Sequence, residues 1–534
     1  MKRRNFLAAT AAATAGATLG APPITQAQGA RTLRFVPQAN LTVMDPIWTT
    51  AYVTRNHGFM VWDTLYGLDA QYRPQPQMVE GHTLEDDNKR WTFTLRTGLA
   101  FHDGTPVRSG DVIASLKRWA ARDAFGAKMA SVVTEWVALD DRRFQIRLSK
   151  PFPLMLDALA KPTSNAPFIM PERIAATDPF TQIRPEDMIG SGPFRFKRDE
   201  FNSGSLVVYE RNAAYRPREQ GEPSFTAGPK VVNFDRVEWR IIPDAATSAA
   251  ALQAGEIDWW EQPTGDYLPL LGRNRNIAVE VQDELGLIAV MRPNHLHAPM
   301  NNPKFRQALI RGVRQSDYMT AVIGGDPRLI RKNVGAFTPG TPLATDVGVA
   351  DVYKEDIALA KRMIAEAGIT NERVALLSTT DLPSLVALSQ VGGGMFRELG
   401  LNLDTQAMDW GSVVRRRASK EPLDRGGWSV FFTFWAGLDH LNPASHHMLR
   451  GQGDAGFIGW PTSERIEQLR DAWFEAPTLD SQKAIAADMQ RQLFTDVPYI
   501  PLGQYFQPIA YRRNITGVMA AGGVPMFWNV RRTA

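Results

Sequence analysis

The sequence predicts an α/β protein built from more than one lobe. Three observations predict it. The chain has 534 residues, more than one hydrophobic core organises. Period-two strand patterns fill its first third, and capped helices of period 3.6 become clear further along. Hydrophobic residues at 44% and charged residues at 22% are the composition of a folded chain, far from the low-hydrophobicity, high-charge regime of disorder.

The N-terminus, residues 1–27, reads as a removable export signal. Lys2, Arg3 and Arg4 form a basic start, an Ala-rich stretch runs from Leu7 to Leu19, and small residues near Ala27 fit a cleavage site. The stretch is too short to span a bilayer. Arg3-Arg4-Asn5-Phe6-Leu7 resembles a twin-arginine motif, which predicts export to the periplasm. These three basic residues supply most of the net charge of +4 and leave about +1 for the remainder, so charge gives no argument for nucleic acid. Past the signal no run approaches the roughly 20 apolar residues of a membrane span, and no stable membrane insertion is expected. The chain has no cysteine, which excludes disulfides, thiolate nucleophiles, Cys-based zinc sites and a lipid-modified cysteine anchor.

Strands follow in order. Leu33 and Phe35 alternate with polar neighbours, as do Trp91, Phe93 and Leu95, then Phe144, Ile146 and Leu148, then Val237, Trp239 and Ile241. Pro217 to Lys230 is polar with Gly and Pro and reads as a surface loop. Asn302-Pro303 opens a helix carrying Phe305, Leu309 and Val313, with Asn at the cap and Pro at the first helical position. Asp356 opens another, with Ile357, Ala360, Met363, Ile364 and Ala367 as its apolar stripe and Gly368 at its end. Ser463 caps a third, carrying Ile466, Leu469, Ala472 and Trp473.

Several segments, in order, resemble the dipeptide- and oligopeptide-binding family (family 5) of extracellular solute-binding proteins of ATP-binding cassette importers. They are Trp91-Thr92-Phe93-Thr94-Leu95-Arg96, Phe101-His102-Asp103-Gly104-Thr105-Pro106, Asp111-Val112, Gly190-Ser191-Gly192-Pro193-Phe194, Leu252-Gln253-Ala254-Gly255-Glu256-Ile257-Asp258 and Asn302 to Leu309. Each also has a structural reading: Asp103-Gly104 is a turn, Asp111 a helix cap, and the glycines of 190–192 a close backbone approach. The resemblance implies two α/β lobes in a periplasmic-binding-protein fold of the large-cleft class, hinged on two crossing strands near 281–292 and 497–505. It implies lobe I over 28–283 with an inserted subdomain at about 56–180, lobe II over 284–496, and a return to lobe I over 497–534. Such a protein is a monomer that captures a peptide or peptide-like solute and hands it to permease subunits, without catalysis or a cofactor.

Specificity is expected around Trp428 to His447. Peptide binders of the family carry, after Trp-x-Gly, an Asp that pairs with the ligand's α-amino group; here the match is Trp435, Gly437 and Asp439. The family's frequent Asp-Pro is replaced by Asn442-Pro443, and a neutral amide both donates and accepts. That leaves room for modified peptides, opines or other amino-acid derivatives, sugars, nickel chelates or haem. The alternative is that Asp439 and Asn442 are only turn residues. Trp410 is a candidate stacking face and Asn40 a further contact.

A secreted hydrolase is the competing class. No Walker-type loop, His-Glu-x-x-His or Gly-x-Ser-x-Gly occurs. Gly451-x-Gly453-x-x-Gly456 matches a dinucleotide fingerprint but follows no clear strand, and Trp460-Pro461 interrupts the helix it needs. His295, His297, His446 and His447 lack convergent acidic or thiolate partners in the sequence, so no metal site is expected.

Overall fold

The computed structural model describes residues 31–533; the export signal lies outside them. Alternation in the sequence becomes half-buried sheet where expected. In Arg90–Leu95 the residues Trp91, Phe93 and Leu95 are buried and those between them are not. This strand pairs antiparallel with Arg143–Leu148, bringing Phe93 opposite Phe144 with stacked rings 5.1 Å apart, a cross-strand pair that stabilises both strands. With Val79–Glu85 and Val133–Ala138 outside, these strands form a separate four-stranded antiparallel sheet.

Two larger sheets carry the rest. A seven-stranded sheet runs Ile277–Glu280, Ile509–Arg512, Trp259–Trp260, Thr32–Val36, Arg236–Arg240, Leu206–Arg211, Phe194–Phe196. A six-stranded sheet runs Ile330–Arg331, Ile500–Tyr505, Leu287–Pro293, Val430–Ala436, Arg373–Thr379, Asn402–Met408. In this second sheet Leu287–Pro293 and Val430–Ala436 are buried along their whole length, which is why Val430-Phe431-Phe432-Thr433-Phe434-Trp435 is an almost unbroken apolar run rather than an alternating one. Arg292 sits inside this buried strand and donates to the carbonyls of Ile458 (2.6 Å), Met448 (3.1 Å) and Pro498 (2.8 Å), so its polar atoms are satisfied without an acid.

The chain passes from the first sheet to the second over residues 281–286, and back over residues 506–508. The first sheet is therefore completed by the C-terminal segment Ile509–Arg512, which pairs with both Trp259–Trp260 and Ile277–Glu280. This differs from a return at 497: Ile500–Tyr505 still pairs with Leu287–Pro293 in the second sheet, since its residues are buried on both sides and fit the interior of that layer.

The three capped helices form as Pro303–Arg311, Ile357–Glu366 and Glu464–Glu475. The side chains of Asn302, Asp356 and Ser463 accept from the free N–H groups of their first turns. Asp111 caps from within the helix Ser109–Ala120: as its third residue it forms half of a capping box, its carboxylate accepting from the Arg108 N–H at 2.7 Å and also from the Glu172 N–H at 2.7 Å. The segment 217–230 is not surface throughout. Phe225, Thr226 and Ala227 are buried, and the buried Lys230 ammonium lies 2.7 Å from Asp63 Oδ1, a pairing that composition does not reveal. The close approach at 190–192 is to protein: a Cβ on Gly190 would lie 1.9 Å from the Val61 carbonyl oxygen.

Candidate functional site

The helix Tyr52–Val61 is buried on every side and wedges between the two large sheets. Its first turn meets the end of Val430–Ala436. The Tyr52 hydroxyl donates to Asp439 Oδ2 at 2.6 Å and accepts from the Ala436 N–H. Asp439 is fully buried, and its other oxygen, Oδ1, has no partner. Burial, and then the Asp439 charge, push the Tyr52 phenol well above its ordinary pKa, so it remains a hydrogen-bond donor at any physiological pH.

Behind Tyr52 lies Arg55, whose guanidinium sits 4.2 Å from the Tyr52 ring centroid. Arg55 Nη2 donates to Asn56 Oδ1 at 2.9 Å and to the Gly523 carbonyl, while Nη1 has no partner. Asn56 Nδ2 donates to Glu261 Oε1 at 3.0 Å, and the Gln38 N–H donates to Glu261 Oε2 at 2.7 Å. Burial raises Glu261 to about 7. Burial likewise raises Asp283 to about 6; its Oδ1 accepts from Leu285 N–H at 3.1 Å and its Oδ2 is unpartnered.

Three adjoining cavities occupy the cleft above these groups. The first is lined on one side by Gln38, Thr50 and Tyr52 and on the other by Trp410, Arg417 and Trp435. The second shares Gln38 and Ala39 with it and extends past Asn40 and Asp381. The third shares Gln262 with the second and reaches Glu261, Asp283 and the crossing residues Gly286 and Gln507. A concave space with few, placed polar groups and perturbed carboxyls has the character of a ligand site.

The structure places the sequence candidates as follows. Trp435 lines the first cavity, and its ring lies against His447 (5.5 Å) and edge-on to Tyr52 (6.5 Å). Trp410 also lines it, as the first residue of the helix Trp410–Arg416 that follows the strand Asn402–Met408. Asn40 lines the second cavity, and its Oδ1 accepts from Gly204 N–H at 3.0 Å. Gly437 packs against the first crossing: a Cβ there would lie 2.2 Å from the Leu285 carbonyl oxygen. Asp439 is one shell deeper than the cavity lining, behind Tyr52. Asn442 is a turn residue, its Oδ1 accepting from Ala444 N–H at 2.9 Å in an Asx turn.

Of the histidines, His446 stacks on His440 at 3.9 Å and places Nε2 2.9 Å from the Ala336 carbonyl oxygen. His447 Nε2 lies 3.3 Å from Asp123 Oδ2. No cluster of three or more His, Asp or Glu able to hold a metal occurs among the described residues. Sequence reasoning missed Tyr52, Arg55, Glu261 and Arg417. The signal for the first two was present as polar residues at every angle of an otherwise apolar segment.

Two α/β layers joined by a pair of crossing segments, with a lined cleft between them, define a two-lobed binding protein of the periplasmic class. The chain belongs to the bacterial extracellular solute-binding proteins of family 5, the solute-capturing proteins of ABC importers; the model of that family's middle region matches residues 73–457. It is similar to a probable peptide ABC transporter periplasmic-binding protein of Sinorhizobium fredii, with 37% identity, covering 100% of this chain and 99% of that one. It is 23% identical to the glutathione-binding protein of Salmonella typhimurium over 90% of each chain. Among solved structures, the agropinic-acid complex of a binding protein from A. tumefaciens R10 superposes with a TM-score of 0.77 and 19% identity, covering 94% of this chain and 99% of that one. A dipeptide-binding protein from a Pseudoalteromonas species, bound to Met-Leu, gives 0.76 and 18%, covering 94% of this chain and all of the other.

Proposed function

We propose that this protein captures a peptide or peptide-like solute by closing its lobes and delivers it to the permease of an ABC importer, acting as a monomer in the periplasm after twin-arginine export. In this reading residues 28–283 with the C-terminal return form lobe I, an inserted subdomain occupies about 56–180, and lobe II follows from 284. The observation that carries the ligand assignment is Asp439, a fully buried carboxylate with one oxygen on Tyr52 and the other unpartnered. A buried acceptor left without a donor is costly, and a ligand ammonium that passes the cavity lining to reach Oδ1 would supply a charge-assisted hydrogen bond. The peptide, glutathione and opine names of the relatives and neighbours support a solute of this size and polarity.

Asp439→Asn keeps the shape and removes the charge. By calorimetry the variant should bind free-amine peptides at least tenfold more weakly while N-acetylated analogues change little. Equal losses for both ligand types would remove the α-ammonium role and return Asp439 to a turn.

A further inference from the structure

The first cavity has a charge of its own. Among its lining residues, which include Gln38, Thr50, Tyr52, Trp410, Thr433 and Trp435, only Arg417 is ionised. Arg417 is 3% exposed. Its single side-chain hydrogen bond runs from Nη2 to Thr50 Oγ1 at 3.3 Å, across the cleft, and Nε has no partner. No carboxylate forms an ion pair with it among the described residues. Its guanidinium is held instead between two aromatic rings, 5.3 Å from the Trp410 centroid and 5.6 Å from that of Phe431. Burial alone lowers it to about 10, with no neighbouring charge acting the other way.

Three other buried arginines are better supplied with acceptors. Arg292 and Arg306 each donate to backbone carbonyls on several sides, and Arg118 joins Asp45 at 2.8 Å besides four other acceptors, with only its Nε unpartnered. Arg55 shares with Arg417 an unpartnered guanidinium nitrogen, but it lines none of the three cavities. Burying a guanidinium without an anion is unfavourable. Here it is placed on a rigid aromatic platform at the wall of a ligand cavity. The adjoining cavities carry acidic groups instead: Asp381 in the second, and in the third Glu261 and Asp283, whose carboxyls burial raises to about 7 and about 6. The cationic and the acidic groups of the cleft therefore lie in different cavities.

We propose that Arg417 is the anion-recognition residue of this cleft and takes a carboxylate of the captured solute. Its planar fork of N–H groups matches a carboxylate in two parallel hydrogen bonds, and Trp410 and Phe431 fix the plane of the fork. The proposal rests on the cleft being the solute site and narrows the solute class to one that bears a carboxylate, the acidic end away from Glu261 and Asp283.

The test uses the exported chain, its Arg417→Gln and Arg417→Lys variants, and a ligand panel. The panel holds free dipeptides and tripeptides, their C-terminal amides, their N-acetyl forms, and non-peptide amino-acid derivatives with one or two carboxylates. Calorimetry should show the wild type preferring free acids over amides at least tenfold. Arg417→Gln should erase that preference by weakening acids at least tenfold and amides less than twofold, with partial recovery in Arg417→Lys. The unliganded variant should melt no lower than the wild type, since an unpaired buried charge has been removed. Equal binding of acids and amides by the wild type would overturn the proposal, as would a variant that loses both alike and melts lower, the mark of a packing role. If peptides fail but another carboxylate binds through Arg417, the peptide reading falls and this one stands. A wild type indifferent to every carboxylate in the panel overturns this one.

Discussion

Glu261 accepts hydrogen bonds from both Asn56 and the Gln38 backbone, yet burial dominates and raises it from the ordinary 4.5 to about 7. A carboxyl whose folded pKa is raised binds more protons folded than unfolded between those values. Its contribution to stability is thus fully present below about pH 4.5 and lost as pH rises through about 7. The size is on the order of 3 kcal/mol across that window. Buried histidines act in the opposite sense: His57 and His446 are each lowered to about 3 by burial, so they cost stability on acidification. The difference between wild type and Glu261→Gln isolates the carboxyl, because a hydrogen bond lost to Gln is a pH-independent offset. Denaturation between pH 4.5 and 7.5 should show wild-type stability falling relative to the variant by roughly 2–3 kcal/mol; parallel curves would mean that Glu261 stays ionised. Asp439 was legible in the sequence as a candidate because a Trp-x-Gly precedes it. Glu261 was not, because nothing in Trp259-Trp260-Glu261 tells a buried acid from a solvated one. Arg417 ends a run of three arginines, a pattern that ordinarily marks a solvated face. Only the fold shows that the third turns inward onto Trp410.

At the scale of elements, the helix Glu464–Glu475 ties the second sheet's layer to the four-stranded unit. Lys128 Nζ lies 2.6 Å from Asp471 Oδ1, Lys150 pairs with Glu475, and Phe152 stacks on Phe474 at 6.2 Å. Arg470 Nη2 also donates to the Ala124 carbonyl at 3.3 Å. Asp471 and Glu475 are largely exposed, so each pair is worth only about 0.2–1 kcal/mol and is screened by salt. In the lobe closure proposed above, such contacts join parts that separate as the cleft opens, so their small energy belongs to the closed state alone. Asp471→Asn with Glu475→Gln should raise the ligand dissociation rate about threefold at low salt, with the unliganded melting temperature nearly unchanged. In stopped-flow measurements the wild type should approach the variant's rate as salt rises to about 0.5 M; a gap that persists would place the effect in packing. The helix itself was legible from Ser463 and its apolar stripe, as were the alternating strands. Its partner was not, because a helix pattern states which face is buried and not what covers it. The helix Tyr52–Val61 escaped for the opposite reason: buried all round, it has no polar face to set a period.

For the whole molecule, the proposed closure and the proposed ligand contact at Asp439 share one piece of backbone. The first crossing, residues 281–286, ends at Gly286, whose φ of 57° is open to glycine and whose added Cβ would lie 2.6 Å from the Tyr505 carbonyl oxygen. Gly437 donates its N–H to the Gly286 carbonyl at 2.7 Å, and its own carbonyl accepts from Thr338 Oγ1 at 2.6 Å. Two residues later comes Asp439, bonded to Tyr52 behind the cavity wall. A rotation of the lobes about residues 281–286 and 506–508 thus moves the Asp439 loop with the hinge. The ligand gains from closure only through contacts made in the closed state. Gly437→Ala tests this coupling without touching a cavity-lining side chain. Its methyl would meet the Leu285 backbone at 2.2 Å, so the loop and crossing must part. Apparent affinity scales with the fraction of molecules able to close, and a tenfold smaller fraction gives a tenfold larger Kd. Small-angle scattering should show the liganded wild type more compact than the liganded variant, with the variant's Kd raised at least tenfold. If Kd rises while scattering shows equal closure, Gly437 acts on the Asp439 loop alone and the hinge moves independently of it. If neither changes, the crossing has slack enough to absorb a methyl, and closure is governed by the contacts between the lobes rather than by the strands that join them.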